Sequence, residues 1–510
     1  MATYDLRIDW ANNDSFTDTG DDVTSRVLGR EPVSISYGRE SQRSSSQVQP
    51  GQASFALNNI SREYSPENGS SPLAGNILPA RPVRIQATHL SNTYTLFRGH
   101  TDNFDVIPER LERAVKVTCL DLFAKFREAT ISTDLYFSIT TGQAIGYILD
   151  AIGWPAADRD LDNGATTIRW WWEEGTDAFQ ALERVVNSEG LPALVTVDAD
   201  GKFVFRDRHH RLTRTASKTS QATFRDAGAE PKFSAPLVYD QGWRDVINSV
   251  TLSVDERVPD GELSNVFETE RIYSVSDGQT LPIRAESSDP FTGAVVPEED
   301  TDYALRSGTI TLTLSRTTGS SATIFVKAIG GSAIIDGMRL RAYPVRVAST
   351  FQVHAEDSTS IDRYGRRSYS QDAPWAGIHD AEAIAQIILA HRAERLPVVT
   401  FRVVNGNDTR LTQQLSRDLS DRVTIVDAET GLSDEFFIER IEHTISEAGR
   451  FHETVFGCEK VPSQPTDVFK LDVGQLDVNR LGVEGLSDPT TVLLLDDATQ
   501  GKLDEALLGY

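Results

Sequence analysis

PVRIQA at 82–87, YTLFRGHTDNFDV at 94–106 and VKVTCLD at 115–121 are three alternating segments, and a second trio matches them. The second trio is RVTIVDA at 422–428, DEFFIERIEHTIS at 434–446 and TVFGCE at 454–459. In each trio a Val-x-Ile segment leads into a longer one, then into one that carries a cysteine. Val83 precedes Cys119 by 36 positions, and Val423 precedes Cys458 by 35. Apolar residues at alternate positions put one side-chain face of a strand into a core. Near-equal spacing of the anchors predicts a repeated β-barrel unit, in which Phe97 matches Phe437 and His100 matches His443.

The same alternation runs through most of the chain, at Val33-Ile35-Tyr37, Phe55-Leu57, Val195-Val197, Phe203-Phe205, Val250-Leu252-Val254 and Ile310-Leu312-Leu314. Helices are few. One is expected over 141–152, with Ala144, Ile148 and Ala151 on a stripe. A second follows Thr176 as N-cap and stops at Gly190; a third starts near Asp380 and ends before Pro397. The first two, with the DADG turn at Asp198–Gly201, make a compact α/β unit. Residues 258–343, rich in Ser, Thr and Gly turns between short strands, read as a small inserted sandwich.

The chain has 510 residues, beyond one ordinary core, and its length predicts roughly three or four domains. Hydrophobic and charged contents of 39% and 25% fit a globular protein, and no apolar run nears the ~20 residues of a membrane helix. Two distant cysteines exclude a disulfide framework and read as small buried apolar groups of a protein made in a reducing compartment. The formal charge of −25 argues against gripping nucleic acid, where cations neutralise phosphates. It serves solubility, or lines a passage through which DNA slides without sticking.

No Walker A, dinucleotide Gly-x-Gly-x-x-Gly, nucleophile-elbow or His-Glu-x-x-His motif occurs. We therefore expect no catalytic, cofactor or metal residues, and no enzyme. Four features bear on that expectation. His209-His210 read as surface histidines on a strand. Asp198-Ala-Asp200-Gly201 begins like a calcium loop but lacks the further ligands, so a hairpin turn is the better reading. Trp170-Trp171-Trp172-Glu173-Glu174 combines aromatic platforms and carboxylates that could serve sugar chemistry, yet neighbouring glutamates on a strand face opposite ways. Its tryptophans are expected to pack both faces of the α/β unit. The DTGDD stretch at 18–22 reads as an exposed loop, with an N-cap or cation site as alternatives.

Residues 50–86, PGQASFALNNISREYSPENGSSPLAGNILPARPVRIQ, add a resemblance. The order of a Pro-Gly turn, A-x-F-x-L-x-N, Y-S-P-x-N, S-P-L and P-x-R-P-V-R-I resembles the N-terminal region of bacteriophage tail hub proteins, the baseplate-hub-like minor tail proteins at the distal end of the tail tube. A later phrase, Ser360-Ile-Asp-Arg-Tyr-Gly-Arg-Arg367, is similar to that family too, as is the D-x-V-x-I strand at Asp421–Ile425; Ser420 stands where the family more often has Gly. The resemblance implies a mainly β (α+β) fold: two tube-type β-barrel domains, a small α/β insertion and an additional β-sandwich module. The expected division is a first barrel at 1–126, completed by about 203–245, and an α/β insertion at 127–202. The second barrel would take 246–257 and 344–463 with its connecting helix, the sandwich 258–343, and an extended linker 464–510, whose leucines recur every five residues. The resemblance further implies a homotrimer whose six barrels mate with a sixfold tube. Its partners would be a distal tail protein and the tube above, and fibre or receptor-binding proteins below, possible contact with a tape measure protein included. Phage DNA would pass without specific binding, and the protein would reside in the virion after assembly in the host cytoplasm. A tail-borne peptidoglycan hydrolase or a glycan-binding adhesin is the alternative.

Overall fold

The structure, a computed structural model, describes residues 2–108, 113–127 and 129–462; the linker expected at 464–510 lies outside them. Twelve strands make one continuous sheet. Six come from the N-terminal part: β1 (Thr3–Ile8), β2 (Val33–Arg39), β3 (Val48–Asn58), β4 (Pro82–His89), β5 (Asn92–Pro108) and β6 (Arg113–Asp121). Six come later: β7 (Thr223–Arg225), β8 (Ser234–Asp240), β9 (Val398–Val404), β10 (Arg422–Asp427), β11 (Leu432–Ser446) and β12 (Phe451–Lys460). The strand order is β1-β4-β5-β6-β3-β2-β11-β12-β9-β8, with β10 beside β11 and β7 beside β10.

The repeat is present strand for strand. β4-β5-β6 is one antiparallel meander and β10-β11-β12 is another. Val83 lies opposite Gly99, and Cys119 lies opposite Thr101, two positions further along β5. Val423 lies opposite Phe436, and Cys458 lies opposite Ile438, again two positions on. Both ladders then shift by one residue at the next position, Asp102 in one and Glu439 in the other. A β-bulge re-aims a strand, so its retention at one place in both copies preserves a bend. Counted from this bulge, Phe437 matches His100, His443 matches Val106, and Phe97 matches Asp434. The sequence pairing of aromatics and histidines is thereby corrected. The first connection is shorter in the second copy and the later one longer, so the two differences nearly cancel over the full span.

Each half closes on itself. In the first, segment 21–28 bridges β1 to β3 through Ile8 N–H to Asp21 O (2.9 Å), Val23 N–H to Leu6 O (3.1 Å) and Leu28 N–H to Ala56 O (2.8 Å). In the second, β7 pairs in parallel with β10, and Phe233 N–H at the foot of β8 bonds Arg225 O (3.0 Å). The first core gathers Leu6, Ile8, Trp10, Phe55, Leu57, Val83, Ile85, Val115, Val117 and Cys119. The second is built on Phe224, Phe233, Phe401 and Phe456, whose ring centroids lie 5.0–5.8 Å apart. Each fully buried side chain of this size contributes about 1.5–3 kcal/mol. Both cysteines are free, buried and part of these cores.

The 59–81 loop caps the first barrel. Tyr64 is buried and stacks on Trp10 at 5.8 Å; Asn59 Oδ1 accepts from Tyr64 N–H (2.9 Å), and Ser71 Oγ donates to Glu63 O (2.6 Å). Leu73 and Ile77 from the same loop enter the core below. The Tyr, Asn and Ser of the hub-like phrases thus tie down a loop that its polar composition alone would leave untethered.

The α/β insertion holds α1 (Thr141–Ala151) and α2 (Ala178–Glu189) against strands Tyr136–Thr140, Thr167–Trp171, Leu194–Val197 and Phe203–Arg206. Thr140 and Gln143 form a capping box on α1. Asp177, one residue after the expected Thr176, caps α2, which ends at Gly190 with φ +86°. Beyond it stands the sandwich, where a three-stranded sheet (Thr280–Glu286, Ser321–Ala328, Ile310–Arg316) packs on strands Ser264–Val275 and Ala333–Glu356.

Three expected divisions change. Phe203–Arg206 belongs to the insertion sheet, and β7 and β8 complete the second barrel, so nothing in 203–245 completes the first. Strand Ser249–Pro259 is not in the second barrel: it lies between Ala333–Glu356 and Ser368–Asp372 under α3 (Ile378–Arg392). The 24-residue strand Ala333–Glu356 runs unbroken from that sheet into the sandwich. Alternation shows which face a strand buries but not which distant strand it pairs with, hence the misplaced boundaries.

Candidate functional site

The two barrels meet through β2 and β11, paired antiparallel from Val33 opposite Ile445 to Gly38 opposite Arg440. Gly38 makes the fit possible. At φ +113°, a Cβ there would sit 2.4 Å from Glu439 O and 2.8 Å from Arg440 Cα. Only glycine takes this backbone without cost and lets the strands approach.

Behind the seam lies a buried network of charges. Glu439, at the bulge, meets Arg39 at 3.1 Å and Arg211 at 2.5 Å. Glu459 meets Arg392 of α3 at 2.7 Å and accepts from Ser44 N–H (2.9 Å) and Ser44 Oγ (2.8 Å). Burial alone would raise the Glu459 carboxyl; Arg392 and the Ser44 bonds outweigh it and hold the group below its ordinary value. Arg39 also donates to Pro192 O (3.2 Å) and Ala193 O (2.9 Å) of the insertion. One guanidinium therefore ties the first barrel, the second barrel and the insertion together. Taking charges out of water is costly unless they are paired, and here every guanidinium has a carboxylate within 3.1 Å.

A second polar cluster fills the other end of the seam. His443 Nδ1 lies 3.0 Å from His452 Nε2 and 3.0 Å from Thr454 Oγ1, and Tyr4 Oη bonds His452 Nδ1 at 2.8 Å. Burial lowers His443 to about 4 and pulls His452 well below its ordinary value, so both are neutral at pH 7. The neutral rings share donors and acceptors that a charged pair could not.

The sequence candidates are scattered around this seam. His210 is not a surface residue on a strand. It opens a short helix, is fully buried, and places Nε2 2.9 Å from Ser420 Oγ. Burial drives its pKa far down. Ser420 itself sits at φ +63°, the left-handed region where glycine is favoured, and the His210 contact engages its hydroxyl. Asp198 closes the expected hairpin turn, accepting from the N–H groups of Asp200 (3.0 Å) and Lys202 (2.8 Å). In the DTGDD stretch Asp21 is buried and accepts from Asp18 N–H (2.8 Å), as part of the segment that closes the first barrel. Among the described residues, no three His, Cys, Asp or Glu side chains are placed to hold a metal ion. Nor is any described helix long and apolar enough to cross a membrane.

Trp171 lies in the insertion core, and Trp170 packs on Phe137 at 4.6 Å. Trp172 and Trp375 meet edge to face at 5.5 Å beside a cleft of about 820 Å³. Arg257 lies 4.2 Å over the Trp375 ring, so the protein's own cation takes that aromatic face. Glu173 is buried, with its pKa raised by that burial and Arg184 3.4 Å away. Glu174 lines the same cleft and accepts from Thr318 Oγ1 (2.7 Å) and Ser320 Oγ (2.5 Å) of the sandwich. Both glutamates line the cleft, but each carboxyl is already engaged, Glu173 beside Arg184 and Glu174 by the sandwich hydroxyls, whereas a glycosidase needs its pair free to face one bond.

No protein-family model matches the sequence, and no curated protein matches it. The chain is similar to solved tail proteins. The 43 kDa tail protein of prophage MuSo2 from Shewanella oneidensis is 12% identical, with a TM-score of 0.48 over 90% of this chain and 98% of that one. The tail protein from Neisseria meningitidis MC58 is 11% identical, with a TM-score of 0.49 over 90% and 97%. The prophage tail protein gp18 from Listeria monocytogenes EGD-e is 7% identical, with a TM-score of 0.41 over 89% and 94%.

Proposed function

We propose that this chain is a structural, non-enzymatic hub of a bacteriophage tail, three copies of which form a ring at the distal end of the tail tube. The observation that carries the reading is the paired barrels: two units with one register and one bulge, joined edge to edge in a single sheet. A chain that supplies two equivalent wall segments fits a threefold ring that mates with a sixfold tube. The Tyr64 and Asn59 cap, built from the hub-like phrases of 50–86, supports the same reading.

In this role the hub receives the distal tail protein and tube on one side and anchors fibre or receptor-binding proteins on the other. The tape measure protein contacts the inner wall, and DNA passes without being held, in keeping with a charge of −25. The cell-wall hydrolase reading is the weaker one, because Glu173 is buried beside Arg184 and Glu174 is held by sandwich hydroxyls.

The test is native mass spectrometry of the purified full-length chain, followed by electron microscopy. The expected result is a trimer with a central opening and six similar lobes. A monomer at high concentration, together with one copy per tail tip in assembled particles, overturns the proposal.

A further inference from the structure

The internal seam has a counterpart to which no described strand is paired. Counted from the shared bulge, the part of β11 that receives β2 matches residues 103–108 of β5. There β5 has β6 on one side, and its ladder with β4 ends at Pro82 opposite His100. No described strand covers the other side.

The strand that matches β2 is β8. Ile35 lies opposite Ala53 and Tyr239 opposite Val399, and both partners lie opposite the cysteine of the next strand. Gly38 and Gly242, three residues further on, both have positive φ, +113° and +69°. Among the described residues β8 pairs with β9 alone and ends the sheet. Among the described residues each barrel thus has one seam-forming edge used inside the chain and one left bare, and the two bare edges are of complementary kind.

We infer that β8 of one copy pairs antiparallel with residues 103–108 of β5 in the next copy, repeating the β2–β11 seam between chains. This rests on the ring reading and specifies its contact. The register follows from the internal seam, where Ser34 faces Thr444 and Ile35 faces His443. Carried over, Val238 faces the neighbouring copy's Ile107, Tyr239 faces its Val106, and Leu237 faces its Pro108. Val238, Val106 and Ile107 are 59%, 40% and 38% exposed in the single chain, large for apolar strand residues. The register sets Val238 directly against Ile107. A bare apolar edge is an aggregation liability unless a strand covers it. Trp243, 57% exposed just past β8, occupies the position of Arg39 and would lie over the neighbour's bulge at Asp102.

The test uses the full-length chain carrying Val238→Cys and Ile107→Cys. Directly opposed strand residues have Cβ atoms ~4.5–5.5 Å apart, near disulfide reach, and the natural cysteines are buried. Mild oxidation is expected to give covalent trimers from the double variant and none from either single variant. Separately, Val238→Lys, at an exposed site, is expected to weaken trimer formation at least tenfold while leaving the unfolding midpoint of the monomer unchanged. If trimers form, no link appears and Val238→Lys associates normally, the seam lies elsewhere and the ring reading survives. If no trimer forms in any variant or in the natural chain, both fall.

Discussion

The hairpins β5–β6 and β11–β12 share register and bulge but live in opposite surroundings. At the bulge, Asp102 is exposed, while its counterpart Glu439 is 2% exposed and gripped by Arg39 and Arg211. Further along, Val106 faces solvent where His443 is buried. The backbone of the unit was kept and its side chains were fitted to what covers them. A covered edge hides polar groups and must pair each one; an open edge can carry either sort.

The largest expected effect separates the two bulges. Glu439→Ala leaves Arg39 buried without its carboxylate and should cost about 3–5 kcal/mol, whereas Asp102→Ala should stay within about 0.5 kcal/mol in the monomer. Urea unfolding of both variants checks this. Equal losses would mean that the buried charges do not distinguish the hairpins.

Next in size is the response to acid. His443 has a folded pKa of about 4 against an ordinary 6.5, so below pH 6.5 the unfolded chain takes up a proton that the folded one refuses. Stability is therefore lost as pH falls from 6.5 to about 4, on the order of 3 kcal/mol, and the loss levels off below that. The first hairpin carries the opposite sign. Burial raises Asp121 to about 7, so its folded form holds a proton that the unfolded carboxylate has released. Its contribution is present below pH 3.8 and is lost as pH rises through about 7. Relative to the natural chain, the loss of stability between pH 7 and 4 should shrink in His443→Gln and grow in Asp121→Asn.

How much of this was legible beforehand differs along the chain. The two meanders were, because alternation and a buried cysteine mark a strand without reference to its partners. The bulge was not, since unequal turns before and after it masked the offset. His210 was missed because a dipeptide on an assumed strand gives no sign of a helix start. The signal lay in Asp207, whose carboxylate accepts from His209 N–H at 2.8 Å and turns the chain into the helix. Helix α4 (Asp408–Ser416) also went unread, although Asn407 caps it and Leu411 and Leu415 lie at helical spacing in the first core. The buried arginines of the seam left no trace in the sequence, because Arg39, Arg211 and Arg392 gain meaning only once three distant segments converge.

Gly38→Ala tests the close approach of β2 to β11 and should cost about 2–3 kcal/mol, from positive φ and from contact with the backbone at Glu439. The loss should appear as a lower denaturant midpoint at unchanged slope. An unchanged midpoint would show that the seam has room for a Cβ.

The smallest effect lies away from the barrels, where sandwich and insertion touch. Gly319 N–H donates to Thr133 O (2.7 Å), and Thr318 and Ser320 direct their hydroxyls to Glu174. A Cβ on Gly319 would lie 3.1 Å from the Trp172 Cβ, so the turn sits close against the insertion. Glu174→Gln keeps the size but removes the charge that strengthens both hydroxyl bonds, at about 1 kcal/mol in this partly exposed place. Global unfolding would barely register it. Amide hydrogen exchange should, because local opening of the 317–320 turn needs only these contacts to break. Faster exchange at Gly319 with unchanged rates in β11 would mark the sandwich as a module docked by its turn. Equal acceleration in both would mean that the sandwich and barrels open as one unit, joined through the long strand Ala333–Glu356.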